Sequence, residues 1–308
     1  IHQTVYLSEL ESDMMSTAYF YRLHDVYQSS TVYLTFPSNR TKRYEHSYGT
    51  MALAGEMFFS AITNADPDVL EHFFADAEKQ LNQIAVKLLE GNIYPTYCNN
   101  SYENLSKCFL SVSTTRIRED AQKTISAVYE NFEKVEDLAL NHYIPPFAVD
   151  LSKRRFIYQC LLEAVRIVAL FHDIGHPPYS HIMESVLDNL YTQCSSDDNE
   201  FNTERSEELL SRLAPFKRAD SDRVSCLISN PLSVSADLHE QVGLKMLSGA
   251  FQNVFSNTIN KISASDNIDI DEKSTYGIYY VAVAEFCFSM LGEQNPLFTS
   301  LHGIIDGC

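Results

Sequence analysis

FIYQCLLEAVRIVALFHDIGHPPYSH, residues 156–181, is an apolar run that ends in ionisable chemistry. From Phe156 to Phe171 nearly every residue is apolar, and Gln159, Glu163 and Arg166 make one thin polar stripe at helical spacing. A helix that apolar around its circumference is buried. His172 and Asp173 fall in its last turn and are therefore presented inside the protein, where an unpaired carboxylate is costly. Hydrogen-bonded partners or a metal ion would compensate it. Gly175 and the Pro177-Pro178 pair force the chain out of the helix, which predicts that His176 and His181 turn back toward the same spot. Neutral imidazole and carboxylate together suit a zinc-like or other transition divalent cation. The plainer alternative is a helix C-terminus carrying a polar cap.

Around this stretch, 308 residues are enough for one large domain or two ordinary ones. Hydrophobic content of 45% and charged content of 21% are those of an ordinary soluble globular protein. A net charge of −18 argues against broad nucleic-acid or anionic-membrane binding, because such partners select basic surfaces. An anionic substrate would need a local positive patch. The seven Cys form no CxxC pair and are odd in number, so a reducing cytoplasmic setting is expected rather than a disulfide framework. No apolar run approaches the roughly 18 residues of a membrane span, and no signal peptide is recognisable. The chain opens on Ile1 rather than Met, so its natural N-terminus is expected upstream.

Most other segments read as helix, so the expected fold is all-α. Val5 to Tyr33 suggests short helices leading into an extended piece, Val32 to Phe36, before a turn at Pro37-Ser38-Asn39. His46 to about Ile62 is helical, with His46, Thr50, Leu53 and Met57 on one face. The small residues Gly49, Ala52, Ala54 and Gly55 would admit a neighbouring helix. Ahead of it, Arg40, Lys42 and Arg43 form the densest basic run of the first half, either a solvated turn or an anion-binding patch. Pro67–Glu90 reads as an amphipathic helix, residues 91–113 as loop, and Thr115 to Asn141 as helix ended by Pro145-Pro146. Ile182 to Tyr191 continues as helix, and 193–202 as a polar loop. Another helix starts at Asp237-Leu238-His239-Glu240, where the Asp-x-x-Glu spacing gives Glu240 a capping-box role as its simplest explanation. Tyr276 to Met290 is apolar and is taken as a buried helix.

Arg43-Tyr44-Glu45-His46-Ser47-Tyr48-Gly49, then His172 to His181, then His239-Glu240-Gln241, form an order of motifs that resembles the HD-domain phosphohydrolases. More narrowly, it resembles the branch of deoxynucleoside triphosphate triphosphohydrolases. Phe20-Tyr21-Arg22-Leu23, Gln28 and Val32 to Pro37 are similar to the segment preceding the first histidine in that branch. The resemblance covers about 1–59, 161–187 and 238–247. It implies an HD-domain helical bundle with helical insertions, a single catalytic domain over 1–308 that is incomplete at both ends, with insertions within about 65–150 and 191–236. The insertion in the first of these follows from the 126 residues between His46 and His172. It further implies that His46, His172 and Asp173 are metal ligands for a divalent ion such as Mn, Fe, Zn or Mg. Arg43 and His181 would contact substrate phosphates. His176, His239 and Glu184 would sit beside the scissile bond, with Glu240 steadying the histidines.

The reaction implied is hydrolysis of a deoxynucleoside triphosphate to deoxynucleoside and tripolyphosphate, by a protein that is commonly a homo-oligomer. The resemblance leads one to expect a further Asp ligand. Leu301 to Cys308 is similar to the lead-in to that segment, and Asp306 falls early for the role. The alternatives are another HD nucleotide phosphomonoesterase or phosphodiesterase, or a non-catalytic nucleotide-binding regulatory protein on the same scaffold.

Overall fold

The computed structural model describes residues 4–90, 117–132, 143, 152–179, five positions within 182–189, and residues 208, 238–263, 270–292, 301 and 303. Among these the fold is all-α, with no sheet beyond an isolated antiparallel bridge pairing Tyr27 with Lys42. The helices are α1 (Glu9–Met15), α2 (Ala18–Tyr21), α3 (Arg43–Asn64), α4 (Pro67–Glu90), α5 (Ile117–Asn131), α6 (Ser152–Phe171), α7 (Leu238–Ser263) and α8 (Ile270–Gly292). No helix among the described residues is long and apolar enough to cross a membrane.

Helix α6 is the axis. Every residue from Phe156 to Phe171 is buried, as its composition requires. α3 and α8 lie along it, and α5 and α4 complete the surround. The α3–α6 crossing is close because Gly55 faces Arg166: a Cβ there would lie 2.9 Å from Arg166 Nη1. Phe58 and Tyr158 continue the contact with rings 5.6 Å apart. On the other flank, Phe156 meets Tyr129 of α5 (5.6 Å), the adjacent Phe132 (5.1 Å) and Tyr279 of α8 (6.1 Å). Aromatic contacts of this kind add to area burial by ~1 kcal/mol each.

The polar stripe of α6 is buried too, and its two ionisable groups have partners. Arg166 Nε donates to Glu11 Oε1 (2.5 Å) and Nη2 to Glu11 Oε2 (2.9 Å) and to the Tyr6 carbonyl (2.9 Å). Glu163 accepts from the hydroxyls of Ser8 and Tyr279. Burial, reinforced by Glu11, pushes the Glu163 carboxyl up to about 8, against the opposing pull of Ser8, Arg166 and Tyr279. The N-terminal segment is thus tied to α6 by groups that cannot be left unpaired in the core. Ser8 also caps α1, accepting from Glu11 N (3.0 Å) while Ser8 N donates to Glu11 Oε2 (3.1 Å).

Two local expectations are corrected. Val32–Leu34 is a 3-10 turn rather than extended, because its N–H groups bond back along the chain (Leu34 N to Thr31 O, 2.9 Å) and no strand lies beside it among the described residues. The buried residues of α3 include Ser47, Thr50, Met51, Ala54, Phe58 and Ile62; of the other residues on the His46 face, Leu53 is exposed and His46 and Met57 are half-buried. His172 and Asp173 lie just beyond the last residue of α6, in the turn. Helix α4 spans the expected residues. Residues 91–113, 193–202 and nearly all of 191–236 lie outside the described residues.

Candidate metal centre

Two helices bring the site together. The first turn of α3 supplies Arg43 and His46, and the turn after α6 supplies His172 and Asp173. That turn is closed by Ile174 N donating to Phe171 O (3.0 Å) and His176 N to Asp173 O (3.2 Å). Asp173 Oδ2 lies 3.4 Å from His46 Nε2 and 3.4 Å from His172 Nε2. The His46 and His172 rings meet edge-on, with centroids 5.2 Å apart. His172 Nδ1 is 2.6 Å from the Ala169 carbonyl, which can only accept, so Nδ1 is the donor there and Nε2 is the nitrogen turned toward Asp173.

These separations fit a divalent cation. Ligand atoms at about 2.1 Å from one ion stand about 3.0–3.4 Å from each other in octahedral or tetrahedral arrangement. His46, His172 and Asp173 could therefore hold a metal ion, as their ligand atoms all lie within 4.8 Å of one another. Burial raises the Asp173 carboxyl, but the imidazoles of His172, His176 and His46 outweigh it and hold Asp173 well below the usual carboxylate range. The group is an anion at any ordinary pH, as a ligand must be. Arg43, itself buried, makes an ion pair with Asp173 Oδ2 and brings a positive charge into an acidic chain.

A second group lies on the other side of the carboxylate. His176 Nε2 is 3.3 Å from Asp173 Oδ1. The His176 ring stacks on His239, from the first turn of α7, at 3.9 Å and 15°. Asp173, His176 and His239 also have ligand atoms close enough to share an ion. In a near-parallel stack, however, the nitrogen lone pairs lie in parallel planes and do not converge, so the first group is the better cation site. Burial lowers the His176 pKa, with Arg43 and His239 adding to it and Asp173 opposing. The carboxylate can only accept, which puts the proton on Nε2 and leaves Nδ1 as the basic nitrogen of a neutral ring.

The α6–α7 contact that creates this stack depends on Gly175. A Cβ there would lie 1.8 Å from the His239 carbonyl oxygen and 2.6 Å from Gly243 N, so only glycine fits. The turn continues through Tyr179, whose φ of 70° is left-handed.

Of the residues singled out in the sequence, Arg43, His46, His172, Asp173, His176 and His239 come together. His181, Glu184 and Asp306 lie outside the described residues, as does the side chain of Glu240. Arg22 had no assigned role in the sequence, yet its guanidinium donates to the carbonyls of Ile174 and His176. Its place in the stretch Phe20-Tyr21-Arg22-Leu23 was the available clue.

No family model matches the chain, and no solved structure matches it. One similarity is to the uncharacterized protein MJ1154 of Methanocaldococcus jannaschii, 39% identical over 57 residues. That match takes in 18% of this chain and 13% of the archaeal protein.

Proposed function

We propose that this protein is a metal-dependent phosphohydrolase of the HD type that hydrolyses deoxynucleoside triphosphates to deoxynucleoside and tripolyphosphate. The observation that carries the reading is the meeting of His46 with His172 and Asp173, across 126 residues of sequence, at separations suited to one cation. A divalent ion held there supplies Lewis acidity toward a phosphoryl oxygen and lowers the pKa of water. Arg43 contributes the local positive charge that a polyphosphate needs against a background of −18. His176, neutral and backed by His239, can take up a proton at Nδ1 and release it to a leaving oxygen. His181 and Glu184 belong to the same proposed site, and Glu240 to the support of His239. The reading takes 1–308 as one catalytic domain with insertions at about 65–150 and 191–236, in a cytoplasmic homo-oligomer.

The test is to measure bound metal, and the phosphate product released from each deoxynucleoside triphosphate, with Mn²⁺ supplied. Tripolyphosphate in step with deoxynucleoside supports the proposal. Release of orthophosphate, or turnover of monophosphates or cyclic nucleotides alone, would make it a different HD phosphohydrolase. Stoichiometric nucleotide binding without turnover would make it a regulatory scaffold.

A further inference from the structure

The loop that carries His176 is gripped from both sides. On one side is the bare backbone of α7, against which Gly175 and Gly243 allow direct contact. On the other is Arg22, in the 3-10 turn Arg22–His24 that follows α2. Its Nη2 donates to Ile174 O and, at 3.0 Å, to His176 O. Those two carbonyls bracket Gly175, the most freely rotating residue of the loop. Holding both fixes the 174–175 and 176–177 peptide planes, which enclose Gly175 and His176, and with them constrains the direction in which His176 leaves the backbone. A guanidinium stays charged and presents its donors in a rigid plane, which suits a two-carbonyl grip better than a flexible ammonium. Arg22 is partly buried, so this grip operates away from bulk water. Its hydrogen bonds go to the loop backbone and not to His46, His172 or Asp173.

We propose that Arg22 is a positioning residue: by clamping the carbonyls of Ile174 and His176 it seats the loop on α7 and sets the stack of His176 on His239, while leaving the cation-binding triad intact. The role rests on the phosphohydrolase reading only for its kinetic consequence. The structural consequence stands without it.

The experiment compares the wild-type chain with Arg22→Met and Arg22→Lys by three measurements. These are the imidazole resonances of ¹⁵N-histidine-labelled protein, Mn²⁺ affinity by calorimetry, and kcat and KM for whichever deoxynucleotide is turned over. In Arg22→Met the His176 and His239 resonances are expected to move while those of His46 and His172 stay. Mn²⁺ affinity should remain within about threefold of wild type, since the ligand set is untouched. A ring displaced by an ångström costs about 10²-fold, so kcat should fall by that order with KM changed by less than about threefold. Guanidinium ion added to Arg22→Met should restore part of kcat, and Arg22→Lys should fall between the two. Unmoved His176 and His239 resonances overturn the proposal, as does loss of Mn²⁺ affinity in parallel with kcat, which would mark a general scaffold role. If Arg22→Met does not fold, Arg22→Lys decides on the same readings. If the wild type turns over no nucleotide, the function proposed above fails, and the resonance and Mn²⁺ readings still decide the role of Arg22.

Discussion

At the scale of single residues, Asp173 concentrates the most consequence. It stands between two imidazoles on one oxygen, a third on the other, and a buried arginine. Asp173→Ala removes the anionic ligand and leaves Arg43 buried without its carboxylate partner. Retained metal should drop below detection by elemental analysis, and activity by more than ~10²-fold. Asp197→Ala, in the polar segment, should leave both within about twofold. Equal modest losses in the two variants would contradict the cation-site assignment. Glu163 offers a second test. Its folded pKa of about 8 lies above the ordinary 4.5, so the folded chain holds an extra proton between those values. Its contribution to stability is full below about pH 4.5 and is lost as pH rises through about 8. Urea unfolding across that window should show the decline, and Glu163→Gln should flatten it.

Between elements, the decisive contacts are ones that a periodicity argument could not rank. Gln159, Glu163 and Arg166 were legible as a polar stripe, but a stripe reads equally as a solvated edge. Arg166 is fully buried because Glu11, on α1, meets it with both oxygens. Glu11→Ala should therefore cost about 3–5 kcal/mol in denaturant unfolding by stranding a buried cation. Replacing both residues together, with Glu11→Leu and Arg166→Met, should recover most of that loss. The open face of α3 shows the same difficulty from the other side. His46, Thr50, Leu53 and Met57 share a helical face, yet only Thr50 of the four is buried, and the helix sinks the neighbouring Met51, Ala54, Gly55 and Phe58, with Gly55 against Arg166 of α6. His46 is consequently half-exposed at the edge of the crossing, as the proposed role of ligand to a substrate-accessible cation requires.

Over the whole molecule, charge and the buried axis act separately. The net charge of −18 bears on partners, not on the packing around α6. Duplex DNA should show no saturable binding below about 100 μM at ~100 mM salt, measured by fluorescence anisotropy. Tight binding that weakens steeply with salt would contradict this expectation.

The sequence by itself determined that residues 156–171 form a buried helix and that the chain has left it by Gly175 and Pro177-Pro178, although it put His172 and Asp173 in the last helical turn rather than just past it. Those are local consequences of apolar content and backbone freedom, decided within a few residues. Only the tertiary structure decided that His46 shares an oxygen of Asp173, that His239 stacks on His176, that Glu11 neutralises Arg166, and that Arg22 holds the loop. Each of these pairs side chains or backbone groups that lie far apart along the chain. Their meeting depends on where helices cross, and the crossings follow from which faces are small enough to let backbones approach. That is a property of two surfaces fitted together, and neither surface's own periodicity contains it.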